Sequence, residues 1–310
     1  MVQQKQKRKR KQGSSMSNVG QLERKTQNRA VTFFKEQLSY DYLGDWEYRE
    51  GNSNIETALL TKWLKARRTP EALIKRALRK LDAAAALGEG KKLFDANKDV
   101  YRLLRYGVKE KEGTGQQNQT VWLIDWENPE ANHFAIAEEV TVKGELKKRP
   151  DIVIYVNGIA LGVIELKRSS VSVSEGIRQN LDNQKKDFIR NFFSTIQLVM
   201  AGNDTQGIRY GTIETSEKYY LEWKEPNSTQ GLPAAGVTAD TLLDTHLAQL
   251  CDKHRFLQLI HDFIVFDAGV KKTCRHNQFF GIQAAKKHVT AKQDGIIWHT
   301  QGSGKSLTMV

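Results

Sequence analysis

The sequence predicts an α/β protein: a central mixed sheet flanked by helices, followed by the start of a second, phosphate-binding unit. Three observations carry that expectation. Residues 149–167, RPDIVIYVNGIALGVIELK, read as strand, tight turn and strand. Apolar residues at helical spacing come before and after that run. Near the end, Gly295 to Ser306 has the form of a short buried strand feeding a glycine-rich loop and a helix start.

The hairpin is the element on which the rest depends. Asn157-Gly158 is a strong two-residue turn signal, and Ile152, Val153, Ile154, Val156, Ile159, Leu161, Val163 and Ile164 leave almost no polar alternation. Both faces are therefore expected to be buried, which puts the hairpin at the centre of a sheet. Asp151 opens the first strand; Glu165 and Lys167, two residues apart near the end of the second, share a face. Two acids and a lysine converging on one spot suit phosphodiester cleavage, with carboxylates holding a hard cation such as Mg²⁺ and the lysine orienting water or neutralising charge. The register sets a condition. A plain two-residue turn pairs Asp151 with Ile164 and leaves it on the face opposite Glu165, so the site requires one extra residue, a bulge at Gly158 or Gly162. The competing reading is a surface hairpin with an ordinary Glu/Lys pair, and the apolar faces argue against it.

Length and composition narrow the class. A chain of 310 residues can bury one large domain and part of another. The division expected is a disordered basic tail over 1–16, a main domain over 17–235, and a helical connector with an incomplete nucleotide-binding unit over 236–310. Because the phosphate-loop signature stands at the very end, the chain reads as a piece of a longer protein. Its net charge of +12 suits a polyanion such as DNA. Six of those charges, Lys5, Lys7, Arg8, Lys9, Arg10 and Lys11, belong to the tail. The tail reads as a nucleic-acid arm, as residues foreign to the natural protein, or as the product of a start upstream of Met16, with the last two favoured. Two cysteines, Cys251 and Cys274, without Cys-x-x-Cys spacing fit a reducing cytoplasm and no zinc site. No apolar run reaches the roughly 18 residues of a membrane span, so a soluble, cytoplasmic protein is expected.

In chain order, residues 17–40 read as a helix with an apolar stripe including Ala30, Val31, Phe33, Phe34 and Leu38. Asn54 opens a second helix, and Thr69-Pro70-Glu71 opens a third. Leu93 to Leu104 continues the helical region. Strands are expected over Val121–Trp126 and His133–Val142, then the hairpin. Ser172 caps a helix running through Gln184. Strands over Ser194–Ala201 and Gln206–Glu214 flank a Gly202-Asn203-Asp204 turn, and Tyr219–Trp223 adds another. Glu225 to Pro233 is the expected linker, and Leu242–Phe266 reads as predominantly helical. In the final loop, Gly302 and Gly304 shape the turn, Lys305 meets the β- and γ-phosphates of ATP, and Ser306 meets its Mg²⁺.

Residues 148–184, KRPDIVIYVNGIALGVIELKRSSVSVSEGIRQNLDNQ, resemble the endonuclease domain of the restriction (R, motor) subunit of type I restriction-modification enzymes, and their hairpin resembles the PD-(D/E)xK nuclease core. The similarity continues in TQNRAVTFF, NIETALL, LLRYGV, LIDWENP, AEEVTV, FFSTIQLVMAGND and HTQGSGKS. It implies a restriction-endonuclease-like core followed by the truncated start of a RecA-like superfamily 2 motor domain. It also implies Mg²⁺-dependent hydrolysis of double-stranded DNA, coupled in the complete subunit to ATP-driven translocation, with separate modification (M) and specificity (S) subunits as partners. ATP turnover is not expected of these 310 residues. Asp151 and Glu165 would be the metal ligands, and Lys167 and Gln179 further catalytic residues. Arg178 would reach DNA or the metal-bound water. Related nucleases show Gln-x-x-x-Tyr where this chain has Gln179 and Asn183. An upstream acid often completes such sites. Glu23, Glu56, Glu138 and Glu139 are the candidates, each with an ordinary structural reading beside it. Gln278 would read the adenine edge. The rival function is a non-cleaving DNA-binding or coupling module of an ATP-dependent helicase. A helicase with an unrelated N-terminal domain would instead leave Asp151 and Glu165 far apart.

Overall fold

The computed structural model describes residues 18–88, 90–225, 238–298, 301–302 and 304–308. The basic tail, most of the expected linker, and His299, Thr300 and Ser303 of the phosphate loop lie outside the described residues. The chain opens with helix α1 (Asn18–Glu36), which buries Ala30, Val31, Phe33 and Phe34. It stops short of residue 40 because Ser39 turns into the left-handed region at φ 54°. Tyr40 is then buried with its hydroxyl on the Cys251 carbonyl at 2.8 Å, and Asp41–Asp45 forms a strand, β1, that the sequence reading missed.

Helices α3 (Glu71–Ala85), directly after Pro70, and α4 (Leu93–Tyr106) begin where expected, whereas α2 (Thr57–Ala66) begins three residues after the expected Asn54, because Asn54 and Ile55 run as a bridge alongside Ile159 and Ala160. The expected strand Val121–Trp126 is absent. Val108–Lys111 (β2) and Asn118–Val121 (β3) pair as a separate ribbon, after which the backbone leaves extended geometry. Side-chain amides take its polar groups instead: Asn157 Nδ2 donates to the Leu123 carbonyl at 3.0 Å, and Asp125 N donates to Asn132 Oδ1 at 2.8 Å.

Phe134–Glu138 is β4, Ile152–Val156 β5 and Ile159–Leu166 β6. Every residue of these three strands is buried, as the unbroken apolar run requires. Helix α5 (Val173–Asn183) is capped by Ser172, whose hydroxyl accepts from Ser174 N at 3.3 Å. Strands β7 (Leu198–Asn203), β8 (Gly207–Gly211) and β9 (Leu221–Glu222) complete a seven-stranded sheet in the order β1-β4-β5-β6-β7-β8-β9. The turn between β7 and β8 falls at 204–206, not at the expected Gly202-Asn203-Asp204, because Asn203 Oδ1 gathers the amides of Thr205 and Gln206 beyond the strand end. β1–β4 and β6–β7 are parallel, the other pairs antiparallel. One face places Ile152, Ile154, Ile164 and Met200 in the larger core with residues of α1–α4; the other packs Val153, Val163 and Val199 against Ile189, Phe192 and Phe193.

The expected boundary near residue 235 does not divide the core. Helices α6 (Leu242–Cys251) and α7 (Lys253–Asp262) place Leu243, Leu247, Phe256 and Leu259 in the same apolar cluster as Ile154 and Tyr210. A small hairpin of β10 (Val265–Asp267) and β11 (Val270–Lys272) adds Lys271, which is buried and gives its ammonium to Asn97 Oδ1 and Gln197 Oε1 at 2.7 and 2.6 Å. Helix α8 (His276–Thr290) and a single turn, α9 (Lys305–Thr308), follow. The expected strand before the phosphate loop is not formed. Ile296, Ile297 and Trp298 are exposed, for among the described residues they have no ladder partner and a lone strand leaves its backbone groups unpaired.

Gly158 fixes how the helices meet the sheet. It turns at φ 85°, and a Cβ there would lie 2.8 Å from the Glu56 carbonyl oxygen and 2.9 Å from Leu60 N. Gly158→Ala is expected to cost about 3 kcal/mol, measurable by urea unfolding, because strain and overpacking coincide in backbone that cannot move away.

Candidate active site

The β5–β6 register brings the acids together. Ile152 faces Ile164, Val153 faces Val163 and Ile154 faces Gly162, whereas Tyr155 faces Ala160. Leu161 is therefore the extra residue, a bulge beside Gly162, and the Asn157-Gly158 turn itself is regular with φ 53° and 85°. One more step in the same register sets Asp151 opposite Glu165, and their carboxyl groups come within hydrogen-bonding reach of each other.

Each group is held separately. Asp151 Oδ2 accepts from Leu166 N at 2.6 Å. Glu165, wholly buried, accepts from Gln179 Nε2 at 2.7 Å and from Asn183 Nδ2 at 3.2 Å. Both amides stand on the face of α5 that Gly176 lets close on the sheet. A Cβ at Gly176 would lie 3.1 Å from that of Ala201, the strand partner of Glu165. Lys167 Nζ donates to Glu23 Oε1 at 3.0 Å. Of the four upstream acids, Glu23 alone touches the lysine. Glu138 and Glu139 sit close behind it. Gln27 Nε2 donates to Glu138 at 3.1 Å, and Arg24 bonds Glu139 at 2.9 Å.

Electrostatics follow from this enclosure. Burial pushes the Asp151 carboxyl up to about 6 against the pull of Lys167 and the Leu166 amide. Burial, and then the charge of Asp151, hold Glu165 well above the usual carboxylate range. Burial works against the Lys167 ammonium, but Asp151, Glu165 and Glu23 outweigh it and keep its pKa raised. The site thus keeps one firm cation beside two acids that bind protons readily.

Two of the expected auxiliary residues lie elsewhere. Glu56 is at the turn end of the hairpin, its amide on the Gly158 carbonyl and its carboxylate gripped by Arg49 at 2.6 and 2.9 Å. That pair satisfies it far from Asp151. Arg178 is exposed and bonded to Glu217 at 2.8 and 3.1 Å, not to Glu165. Arg24 and Gln27 were not anticipated. For Gln27 the signal was present in the spacing, since it stands four residues from Glu23 on one face of α1. Tyr220 was also missed: burial and then Glu165 raise its phenol above the ordinary range.

In the phosphate-loop region Gly302 and Gly304 take φ 79° and 90°, with Lys305 and Ser306 exposed at the start of α9. Gln278 is buried against this loop, its amide donating to the Gly304 carbonyl at 2.9 Å and its oxygen accepting from Arg275 N at 2.8 Å.

Among the described residues no group of three or more His, Cys, Asp or Glu is arranged to hold a metal. The available donors are the Asp151–Glu165 pair, and Mg²⁺ needs no more than one or two carboxylates besides water and substrate phosphate. Two facing carboxylates, Glu165 wholly buried and Asp151 half-buried, outnumber the single Lys167 ammonium beside them and suit a hard cation. No described helix is long and apolar enough to cross a membrane.

Fold and site together define an α/β protein with its acidic groups gathered at the end of a bulged central hairpin. The profile described as "Type I restriction enzyme R protein N terminus" matches residues 20–218, and the chain belongs to that family. A second profile, "SWI2/SNF2 ATPase", matches residues 277–310. Among curated relatives, the type I restriction enzyme HindI endonuclease subunit of Haemophilus influenzae is 28% identical over 233 residues, 69% of this chain and 22% of that protein. The SsaAORF53P endonuclease subunit of Staphylococcus saprophyticus is 31% identical over 182 residues, 57% of this chain and 18% of that one. A putative endonuclease subunit of Methanocaldococcus jannaschii, MjaIXP, is 25% identical over 241 residues, 69% and 23%. The chain spans about a fifth of the length of these relatives.

Proposed function

We propose that the chain is the endonuclease region of a type I restriction R subunit, with a PD-(D/E)xK core that hydrolyses phosphodiester bonds of double-stranded DNA with Mg²⁺. The observation that carries this reading is the Leu161 bulge, which turns a chance-sized sequence pattern into two facing carboxylates with Lys167 beside them. Asp151 and Glu165 would hold the cation, which when bound supplies a Lewis acid and a more acidic water. Gln179 and Asn183 fix the Glu165 carboxylate so that its lone pairs do not wander. Lys167 keeps an ammonium where negative charge builds on the phosphate, and Glu23, its present partner, is the upstream acid of the site. In the complete protein Gly302, Gly304, Lys305, Ser306 and Gln278 would serve ATP, and ATP turnover would drive DNA translocation. Modification and specificity subunits would be the partners. The non-cleaving rival has no use for two facing acids, one of them wholly buried.

A magnesium titration tests the reading. Adding MgCl₂ at pH 8 is expected to raise the thermal midpoint of the chain and to support nicking of supercoiled plasmid, and Glu165→Gln should abolish both effects. Nicking by Glu165→Gln at the wild-type rate would overturn the assignment.

A further inference from the structure

The site has a basic neighbour that none of the chemistry above uses. Beyond Asp151 the β4–β5 pair continues as an arm, closed by a bridge between Val142 and Lys148. The arm docks on the segment that follows α5. Leu146 N donates to the Asp187 carbonyl at 3.0 Å, and the Lys148 ammonium sits 4.3 Å from the centre of the Phe188 ring. Gly144 lies flush on Phe188, where a Cβ would come within 1.9 Å of its carbonyl oxygen. Two loops thereby form one surface.

Its charge is concentrated. Residues 143–149 and 182–190 hold seven basic against three acidic residues, an excess of four in a chain whose net charge outside the tail is about six. Some of these cations are spoken for: Arg149 by Glu139 and Glu47, Lys185 by Asp182, Arg190 by Glu214. Lys143, Lys147 and Lys186 are exposed with no carboxylate in ion-pair range among the described residues; Glu145 and Asp187 are interspersed with them, and Glu47, already paired with Arg149, and Glu50 border the hollow that Lys143 and Lys147 line. Position matters as much as charge. Lys148 is three residues from Asp151, and Lys186 is three from Asn183, which holds Glu165, so the chain cannot carry either backbone more than about 11 Å from those residues. A duplex carries a phosphate roughly every 1.7 Å of axis, so one seated at the carboxylates brings several phosphates into this range.

We propose that the arm and the docked loop form a platform for the phosphate backbone of double-stranded DNA, with Lys143, Lys147 and Lys186 as its phosphate ligands. Lys148 serves to hold the two loops together. The proposal rests on the nuclease reading above and says where its substrate lies. It places the duplex on the α5 side of the hairpin, over Asp151 and Lys167.

The test uses the full 310-residue chain carrying Lys143→Gln, Lys147→Gln and Lys186→Gln together, with a short fluorescein-labelled duplex titrated at several NaCl concentrations without divalent cation. The slope of log affinity on log salt should fall in magnitude by about 2–3, near 0.9 per lost phosphate contact. Lys62→Gln, on α2 near the turn end of the hairpin, should leave it unchanged, and the thermal midpoint should stay at the wild-type value. An unchanged slope in the triple variant overturns the platform. So does a normal slope combined with weakened binding of the modification subunit, which would make the surface a protein contact. Nicking measured separately in Asp151→Asn distinguishes the failures: retained nicking sinks the nuclease reading, whereas lost nicking with an unchanged triple-variant slope sinks the platform alone.

Discussion

Asp151→Asn is expected to lower DNA cleavage by about 10³-fold or more, equivalent to roughly 4 kcal/mol of transition-state stabilisation. The substitution is nearly isosteric, and its amide oxygen can still accept from Leu166 N, so the hairpin end keeps its bond. What it removes is the charge facing Glu165. Lys167→Ala should cost about 10²–10³-fold, the range for deleting one preorganised group that meets developing charge. If the proposed reading holds for the longer protein, both variants should keep its ATP hydrolysis, because Gln278 of α8 bonds the Gly304 carbonyl and, among the described residues, the phosphate-loop region bonds neither acid. Cleavage assayed beside ATPase decides the matter. Undiminished cutting by Asp151→Asn would remove the nuclease assignment, and loss of both activities would point to a folding defect instead.

How far the sequence reached depends on which physical signal each feature leaves. The hairpin was legible because its evidence is local: a turn dipeptide, an unbroken apolar run, and acids placed by strand parity. Parity even required an extra residue, and Leu161 supplies it, one position from Gly162. Gln179 and Asn183 were expected from the resemblance, and with α5 capped at Ser172 their four-residue spacing puts both on the face that meets Glu165. The misses are non-local. β1 pairs in parallel with a strand some ninety residues away, and nothing within Asp41–Asp45 announces that. Val121–Trp126 had strand composition, yet the buried amide of Asn157 claims the Leu123 carbonyl and turns the chain into a clamp on the hairpin. The connector was assigned to the next unit on the strength of a Pro/Gly-rich linker. Composition marks a change of course, but only packing reveals that Phe256 and Leu243 return to the same core. Glu56 looked like the other upstream acids in sequence. Its separation from the site comes from standing at the opposite end of β5, which only the register reveals.

The same enclosure that prepares the carboxylates should make them a liability without a cation, and the pH dependence of stability can show it. Asp151 rises from 3.8 to about 6 on folding. A raised acid contributes stability that is complete below its unfolded pKa and is lost as pH climbs through the folded one. The loss therefore falls between about pH 4 and 6 and amounts to roughly 3 kcal/mol. Glu165 is displaced in the same direction, and Lys167, raised above 10.5, stays charged in both states across this window. His246 opposes them. Burial lowers it from 6.5 to about 4, with Nδ1 accepting from Ile208 N, so its contribution is present above pH 6.5 and lost as pH falls towards 4. The wild-type curve mixes both effects; the difference between wild type and Asp151→Asn removes the His246 contribution and reports Asp151 together with its effect on Glu165. Urea unfolding in EDTA should show the Asn variant gaining on wild type from pH 4 to 7, by roughly 3 kcal/mol, and holding that lead above pH 7. Millimolar MgCl₂ at pH 8 should then close the gap by stabilising wild type alone, since a ligand bound only to the folded state adds stability as RT ln(1 + [L]/Kd). A gap that does not change with pH would mean that Asp151 is not held as a strained acid, and a gap that MgCl₂ leaves open would mean that the pair does not hold the cation.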